Sequence, residues 1–171
     1  LPGTDWFNQG RLTASGGNFT ATGAFWNAES VLVGAGRSFT ANVAYTQTAG
    51  LTFLQKGTLG SSFPLVIAGG QLSGAGTVAG SLELDGILSP GTSPDTLRIT
   101  GDYTQFDAGR LVVDLAGLSP GVGYDVVRVS GAATLAGRLQ VRLGDGFVPA
   151  NGDSFVVMTY ASRSGAFTLL D

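Results

Sequence analysis

Apolar residues alternate with polar ones in short runs along much of this chain. The alternation is clearest at Leu82/Leu84, Leu97/Ile99, Leu111/Val113/Leu115 and Leu139/Val141/Leu143. Alternate residues of a β-strand point to the same face, so this period of two predicts short strands with one apolar face. Helical spacing is not sustained anywhere over about ten residues or more, so an all-β fold is predicted.

Turn-forming residues interrupt these runs every few positions. The clearest breaks are Gly69-Gly70, Asp85-Gly86, Pro90-Gly91, Asp145-Gly146 and Asn151-Gly152. Strands this short bury their apolar faces only by stacking on similar units, which predicts a β-solenoid with one continuous core. A β-sandwich is the alternative, because it also needs many short strands. The solenoid is favoured because sandwich strands tend to be longer.

Internal similarity supports repeated coils. Tyr45-Thr46-Gln47 returns as Tyr103-Thr104-Gln105, and a Gly followed two residues later by Leu or Val recurs within residues 70–88. The predicted core of this regular part consists of Leu72, Val78, Leu82, Leu84, Leu88, Leu97, Ile99, Leu111 and Val113. Substituting stacked members of this set is therefore expected to disrupt folding.

The chain divides into three zones within a single predicted domain or domain fragment, residues 1–171. Residues 1–60 are rich in aromatics and form either further coils or a cap. Residues 61–118 form the regular coils. Residues 119–171 carry longer alternating stretches at 138–143 and 154–160, separated by Asp-Gly and Asn-Gly turns, so hairpins that close one end of the solenoid are a further expectation.

Composition favours a folded chain with a weakly charged surface. Of 171 residues, 43% are hydrophobic, unlike a disordered chain, and 12% are charged, about half the usual share. The net charge is −3 and the nine basic residues are dispersed, so nucleic-acid binding is not expected. No run approaches the roughly 20 apolar residues of a membrane helix, so this segment is not expected to insert into a membrane.

Residues suited to catalysis are scarce. The chain has no Cys and no His, which removes thiolate chemistry and the commonest general base and metal ligand. Lys56 is left as a base for a hydroxyl nucleophile, but Ser61 and Ser62 lack the spacing of a Ser-Lys pair. We therefore predict no enzyme activity, no catalytic residues and no cofactor.

Two groups of acidic and amide residues are candidate cation sites. Glu83 and Asp85 share one strand face and could pair or bind Ca²⁺, but Leu82 and Leu84 occupy the opposite face, so the acids are predicted to face water. The second group lies near turn glycines, where such residues are favoured on backbone grounds alone. It comprises Asp145, Asn151 and Asp153. No metal site is predicted.

Glycines and aromatics offer two further motifs. Gly74, Gly76 and Gly80 lack dinucleotide-loop spacing, so they are expected to serve turns and close coil packing. Trp26 beside Phe25 suggests a stacking surface for sugars, since neighbouring strand residues face opposite sides. Most aromatics are predicted to fill the core or a cap. A carbohydrate-binding or carbohydrate-cleaving β-helix is the alternative function.

The segment from Leu88 to Gln105 carries a recognisable pattern. It reads Leu88-Ser89-Pro90-Gly91-Thr92-Ser93-Pro94, then Leu97, Ile99, Gly101, Tyr103 and Gln105. This pattern resembles the β-strand repeat of bacterial autotransporter passengers and related large surface proteins. Similarity extends over about residues 69–167 and departs from the family pattern at Asp95, where Gly is usual.

The resemblance implies a right-handed parallel β-helix that is secreted and exposed at the bacterial cell surface. It implies a scaffold role and transfers no catalytic residue. We therefore expect a non-enzymatic extracellular structural scaffold or adhesin segment. Solenoid ends carry unpaired strands, so self-association into fibres is an additional expectation, with host or surface glycans and proteins as other partners.

The beginning of the chain carries no recognisable export signal. Residues 1–4 include no start Met and no charged-then-apolar stretch. We expect the chain to be an excised fragment or a processed product.

Overall fold

The chain forms strands that are mostly too short to bury a face alone. The computed structural model describes residues 4–91, 94–144 and 146–170, and these contain no helix. In chain order the strands are β1 (Trp6–Asn8), β2 (Arg11–Ala14), β3 (Phe19–Ala21), β4 (Phe25–Asn27), β5 (Ser30–Val33), β6 (Ser38–Ala41), β7 (Tyr45–Gln47), β8 (Leu51–Ser61), β9 (Leu65–Ile67), β10 (Gln71–Ala79), β11 (Leu82–Leu84), β12 (Ile87–Ser89), β13 (Thr96–Ile99), β14 (Tyr103–Gln105), β15 (Arg110–Leu115), β16 (Val126–Val129), β17 (Ala132–Leu135), β18 (Arg138–Leu143), β19 (Met158–Thr159), β20 (Ser162–Gly165) and β21 (Leu169–Leu170).

These strands stack as a right-handed parallel β-helix, as predicted, and not as a β-sandwich. One face is an eight-stranded sheet in the order β1-β4-β7-β9-β11-β14-β17-β20. The 13-stranded sheet supplies the other two faces, because β8 and β10 each run along both of them. The right-handed sense is the one that parallel strand crossovers adopt almost without exception.

One long apolar core runs along the axis of the solenoid, and a smaller cluster lies around Leu115, Tyr124 and Val126. All nine residues of the predicted core lie in the long core, and each is at most 1% exposed. Leu88 pairs in register with Leu72 on one side and with Leu111 on the other, so leucine stacks on leucine from coil to coil. Burying one such side chain fully stabilises the fold by about 1.5–3 kcal/mol, and each coil adds further buried side chains.

The aromatic-rich zone continues the same sheets. Strands β1 to β8 join both sheets in parallel register. Phe25, Phe39 and Tyr45 are buried against one another, with ring centroids 4.7 Å apart for Phe25–Phe39 and 5.5 Å for Phe25–Tyr45. Aromatic rings here fill the interior positions that leucines fill in later coils.

The described C-terminal strands pair in parallel and do not form the expected hairpins. β18 pairs in parallel with β15 and β21, and β19 pairs in parallel with β16. Parallel pairing covers the preceding coil, whereas a hairpin would leave that coil open. Phe155 packs against Tyr124, and Phe147 packs against Phe155. Of the expected strand at residues 154–160, only Met158–Thr159 forms strand pairing.

A β-bulge accommodates one extra residue in β8. The register with β10 shifts between Ala75 and Gly76, and Lys56 has a φ of 58°, in the left-handed region. Across the bulge, Gly74 has a φ of 93°, and a Cβ there would collide with the carbonyl oxygen of Leu54. Glycine at this position therefore permits close coil packing. Asp95 itself does not have a left-handed backbone conformation.

Candidate functional site: buried polar ladder and surface groove

A ladder of amides, half-buried at Asn8 and buried at Asn27 and Gln47, connects the first coils. Asn8, Asn27 and Gln47 occupy corresponding positions of β1, β4 and β7. Asn8 Nδ2 donates to Asn27 Oδ1 at 2.7 Å, and Asn27 Nδ2 donates to Gln47 Oε1 at 3.2 Å. Ile67 follows next in the same row. Polar side chains in the core here hold neighbouring coils to one another.

Tyr45 and Thr52 extend this ladder. Thr52 Oγ1 donates to Gln47 Oε1 at 2.6 Å and accepts from the Tyr45 hydroxyl at 2.5 Å. Gln47 Nε2 donates to the carbonyl oxygens of Gly69 and Gln71 in the following coil, at 3.0 and 3.1 Å. Burial raises the pKa of Tyr45 well above its usual value, so this hydroxyl stays neutral. Its environment suits a structural hydrogen bond.

The second Tyr-Thr-Gln copy repeats this arrangement. The Tyr103 hydroxyl donates to Gln105 Oε1 at 2.7 Å. Gln105 Nε2 lies within hydrogen-bond distance of the carbonyl oxygens of Gly109, Ala136 and Arg138, at 2.8–2.9 Å. The repeated motif therefore fastens a turn of one coil to a turn of the next. Sequence reasoning found the repeat but assigned no role to its glutamine.

Asp125 is a buried carboxylate that sequence reasoning missed. It is fully buried, its Oδ1 accepts from the Asp95 backbone N–H at 2.9 Å, and its Oδ2 accepts from that of Asp114 at 3.0 Å. The Asp114 side chain forms an ion pair with Arg142, Nε to Oδ1 at 2.7 Å. Burial raises the pKa of Asp125, and the two backbone donors partly oppose that rise. Its sequence signal is a lone acid beside an apolar run.

The stability of the fold should depend on pH through Asp125. The pKa of Asp125 is 3.8 in the unfolded chain and higher in the folded chain. Between these two pKa values, the folded state therefore binds more protons than the unfolded state. The free energy of unfolding of wild type, relative to Asp125→Asn, should therefore fall as pH rises through this window and then level off. Urea denaturation of both proteins from about pH 3 to 8 measures this. A difference that is constant across this range contradicts the assignment.

The candidate cation-binding acids lie at β11, whereas the candidate catalytic residues lie on β8. Glu83 is half-buried on the outer side of β11, and Asp85 is exposed directly after it. Lys56 lies at the bulge of β8, and Ser61 is the last residue of the same strand, five positions further along. Ser61 Oγ donates instead to the Val43 carbonyl oxygen at 3.3 Å. The Ser61 hydroxyl is therefore bonded to the backbone and not to the Lys56 amine.

The candidate Ca²⁺ ligands in the turns make contacts within their own turn or face solvent. Asp153 Oδ2 accepts from the Ala150 backbone N–H at 2.7 Å, which closes its own turn, and Asn151 is exposed. Asp145 lies outside the described residues, as do Thr92 and Ser93 of the Ser-Pro-Gly-Thr-Ser-Pro turn. Among the residues that are described, no group of three or more acidic side chains is placed to hold a metal ion.

Two surface cavities lie where the eight-stranded sheet turns into its neighbour. The first, about 250 Å³, is lined by Phe7, Gln9 and Trp26 together with residues of the following turn. Phe25 points into the core, whereas Trp26 is 39% exposed and stacks on Phe7. The expected opposite facing of these neighbours is thus observed.

The second cavity, about 480 Å³, is lined by one aromatic residue, two acids and two threonines. These are Phe106, Asp85, Asp107, Thr104 and Thr134. Phe106 is 42% exposed. The arrangement offers an apolar surface beside carboxylate and hydroxyl groups, which suits binding of a polar ligand with an apolar face.

Comparison with protein-family models, with curated proteins and with solved structures gave no match. In the part of the chain that the structure describes, no helix is both long enough and apolar enough to cross a membrane.

Proposed function

We propose that this chain is a non-enzymatic structural scaffold or adhesin segment, secreted and displayed at a bacterial cell surface. The observation that carries the proposal is the uninterrupted core, which follows the coils from Ala14 to Met158. Its buried polar side chains, Gln47 and Gln105 among them, bond to neighbouring coils and turns. A polar network used in this way rigidifies a core. A rigid rod suits a stalk, and its repeated faces suit adhesion.

Surface display is supported by the resemblance to autotransporter passengers over residues 69–167. Antibodies raised against the folded chain should label intact cells of the organism that encodes it, and added protease should remove that label. Labelling only after the cells are permeabilised would contradict the proposed location.

Rod-like rigidity has its own test. Because the coils share one core, proteinase K should leave the folded chain largely intact, apart from its surface loops, at doses that degrade the urea-unfolded chain. Rapid digestion throughout the coils would contradict a scaffold role.

We propose in addition that copies associate end to end. At the last coils Val141 and Leu143 are 38% and 58% exposed, although their partners Val113 and Leu115 on the preceding coil are buried. A cavity of about 350 Å³ opens beside Met158 at the same end. Exposed apolar side chains, beside strand edges that have no partner among the described residues, favour association with another copy.

Sedimentation equilibrium over a range of protein concentrations tests this association. Wild type should form polymers as concentration rises, and Leu143→Lys should remain monomeric because its charge would be buried at the contact. Leu118→Lys, at an exposed loop position, is the matched control and should still polymerise. A wild-type chain that stays monomeric at high concentration contradicts the proposal.

A further inference from the structure

The row of residues that directly follows the strands of the eight-stranded sheet forms one continuous edge, here called the turn edge. Its members from the second coil onward are Ala28, Thr48, Ala68, Asp85 and Phe106, each of which donates its backbone N–H to the preceding coil. We infer that the turn edge binds a neutral linear glycan, which lies along the solenoid axis. This function goes beyond the scaffold role and does not depend on it.

The cavity at Phe106 supplies the more complete set of contacts. Phe106 presents an exposed ring, and Asp85 and Asp107 lie in the same cavity on neighbouring coils. Neither carboxylate has a hydrogen-bond partner within residues 4–91, 94–144 and 146–170. Free carboxylates accept hydrogen bonds from hydroxyl groups, and an aromatic ring packs against an apolar face.

The cavity at Trp26 repeats this chemistry near the other end. Trp26 and Phe7 lie nearly parallel, with an interplanar angle of 8° and ring centroids 6.4 Å apart. Phe7 is 69% exposed. The Gln9 amide lines the same cavity and has no partner within the described ranges, so it is available to donate and accept. Stacked rings beside a free amide again offer an apolar surface with a polar margin.

Both cavities border the turn edge, the first at Ala28 and Thr48 and the second at Asp85 and Phe106. Trp26 lies on β4, and Phe106 follows β14, which is four strands further along the same sheet. Four strand spacings of about 4.8 Å separate them by roughly 19 Å along the axis. Sites spaced in this way suit a chain-like ligand that contacts both aromatic positions, and Thr46 on the outer side of β7 adds a hydroxyl group between them.

Sugar rings match this lining because they combine hydroxyl groups around the ring with apolar C–H faces. The carboxylates at Asp85 and Asp107 would repel acidic glycans, so a neutral glycan is specified. Aromatic rings with carboxylates can also attract organic cations. Tetramethylammonium therefore serves as the competing probe in the experiment.

The test is a glycan array of neutral and acidic linear oligosaccharides, followed by titration calorimetry with the best neutral hexasaccharide. Wild type should bind neutral members selectively. Phe106→Ala and Trp26→Ala should each weaken binding about 10-fold or more, since loss of a stacking contact costs on the order of one factor of ten. Asp85→Asn/Asp107→Asn should also weaken binding. Phe63→Ala removes an exposed phenylalanine away from the turn edge and should leave the affinity unchanged.

Several results would overturn the inference. These are absence of neutral glycan binding across the array, preference for acidic glycans, or equal effects of Phe63→Ala and Phe106→Ala. Displacement of the sugar by tetramethylammonium at millimolar concentration would assign the cavity to cations instead. Each variant's urea midpoint is measured alongside, so that a folding defect is not read as a binding defect. The scaffold proposal is tested separately, by protease resistance and surface labelling.

Discussion

Introducing aspartate at both Leu72 and Leu88 is expected to abolish cooperative folding. The two side chains pair in register on adjacent coils and neither is exposed at all. Leu→Ala at one such position already costs about 2–5 kcal/mol. Two carboxylates facing each other in the core add desolvation and repulsion, which together should exceed the roughly 5–15 kcal/mol that stabilises a typical domain. Urea denaturation followed by circular dichroism measures the transition.

The control for this pair introduces the same charges elsewhere. Leu118→Asp/Val122→Asp alters two exposed apolar residues of the loop before Tyr124, so its transition should stay within about 1 kcal/mol of wild type. If Leu72→Asp/Leu88→Asp unfolds cooperatively at the wild-type midpoint, the core assignment is wrong. A loss common to both variants would instead indicate sensitivity to added negative charge.

Gln105→Met should destabilise the chain by about 2–4 kcal/mol, although it conserves length and adds hydrophobicity. The substitution removes the acceptor of the buried Tyr103 hydroxyl and a donor to the turn carbonyls of the next coil. A buried polar group left without a partner costs about 1–3 kcal/mol. Chemical denaturation of the variant gives the value directly.

A double-mutant cycle separates this effect from packing. Tyr103→Phe/Gln105→Met removes both partners of the hydroxyl bond, so it should be more stable than the sum of the single costs predicts. Thr104→Met, on the outer side between them, should change stability by less than about 1 kcal/mol. Strict additivity of the two inner substitutions would show that the bond from Tyr103 to Gln105 contributes nothing.

Strand positions and core residues were predictable because each coil buries alternate apolar side chains. Leu82 and Leu84 could only point inward together, with Glu83 outward. Which strands pair with one another was harder to predict from the sequence. Alternation at residues 138–143 is equally compatible with a hairpin and with parallel stacking, and the structure adopts parallel pairing because it covers Leu111 and Val113.

The buried polar residues were harder to predict for a different reason. Gln105 lies two residues after Tyr103, so the strand period places both side chains inward. However, one acceptor of the Gln105 side chain is the carbonyl oxygen of Arg138, 33 residues further along. The acceptors become neighbours only when the coils stack. Asp125 likewise bonds to the backbone of Asp95 and Asp114, which single-sequence periodicity does not bring together. The two surface cavities depend in the same way on residues of successive coils.

In-register parallel stacking is the basis of the scaffold proposal, and the cysteine-free sequence allows a direct test by cross-linking. Thr46 and Val66 are partners on adjacent strands of the eight-stranded sheet, so their Cα atoms should lie about 5 Å apart, within disulfide range. Thr46 and Glu83 lie two strands apart, at roughly 10 Å, beyond that range. Mild oxidation of folded Thr46→Cys/Val66→Cys should give an intramolecular disulfide in nearly every molecule, whereas Thr46→Cys/Glu83→Cys should stay reduced. Equal cross-linking of both pairs, or cross-linking of the second alone, would contradict the stacked coils.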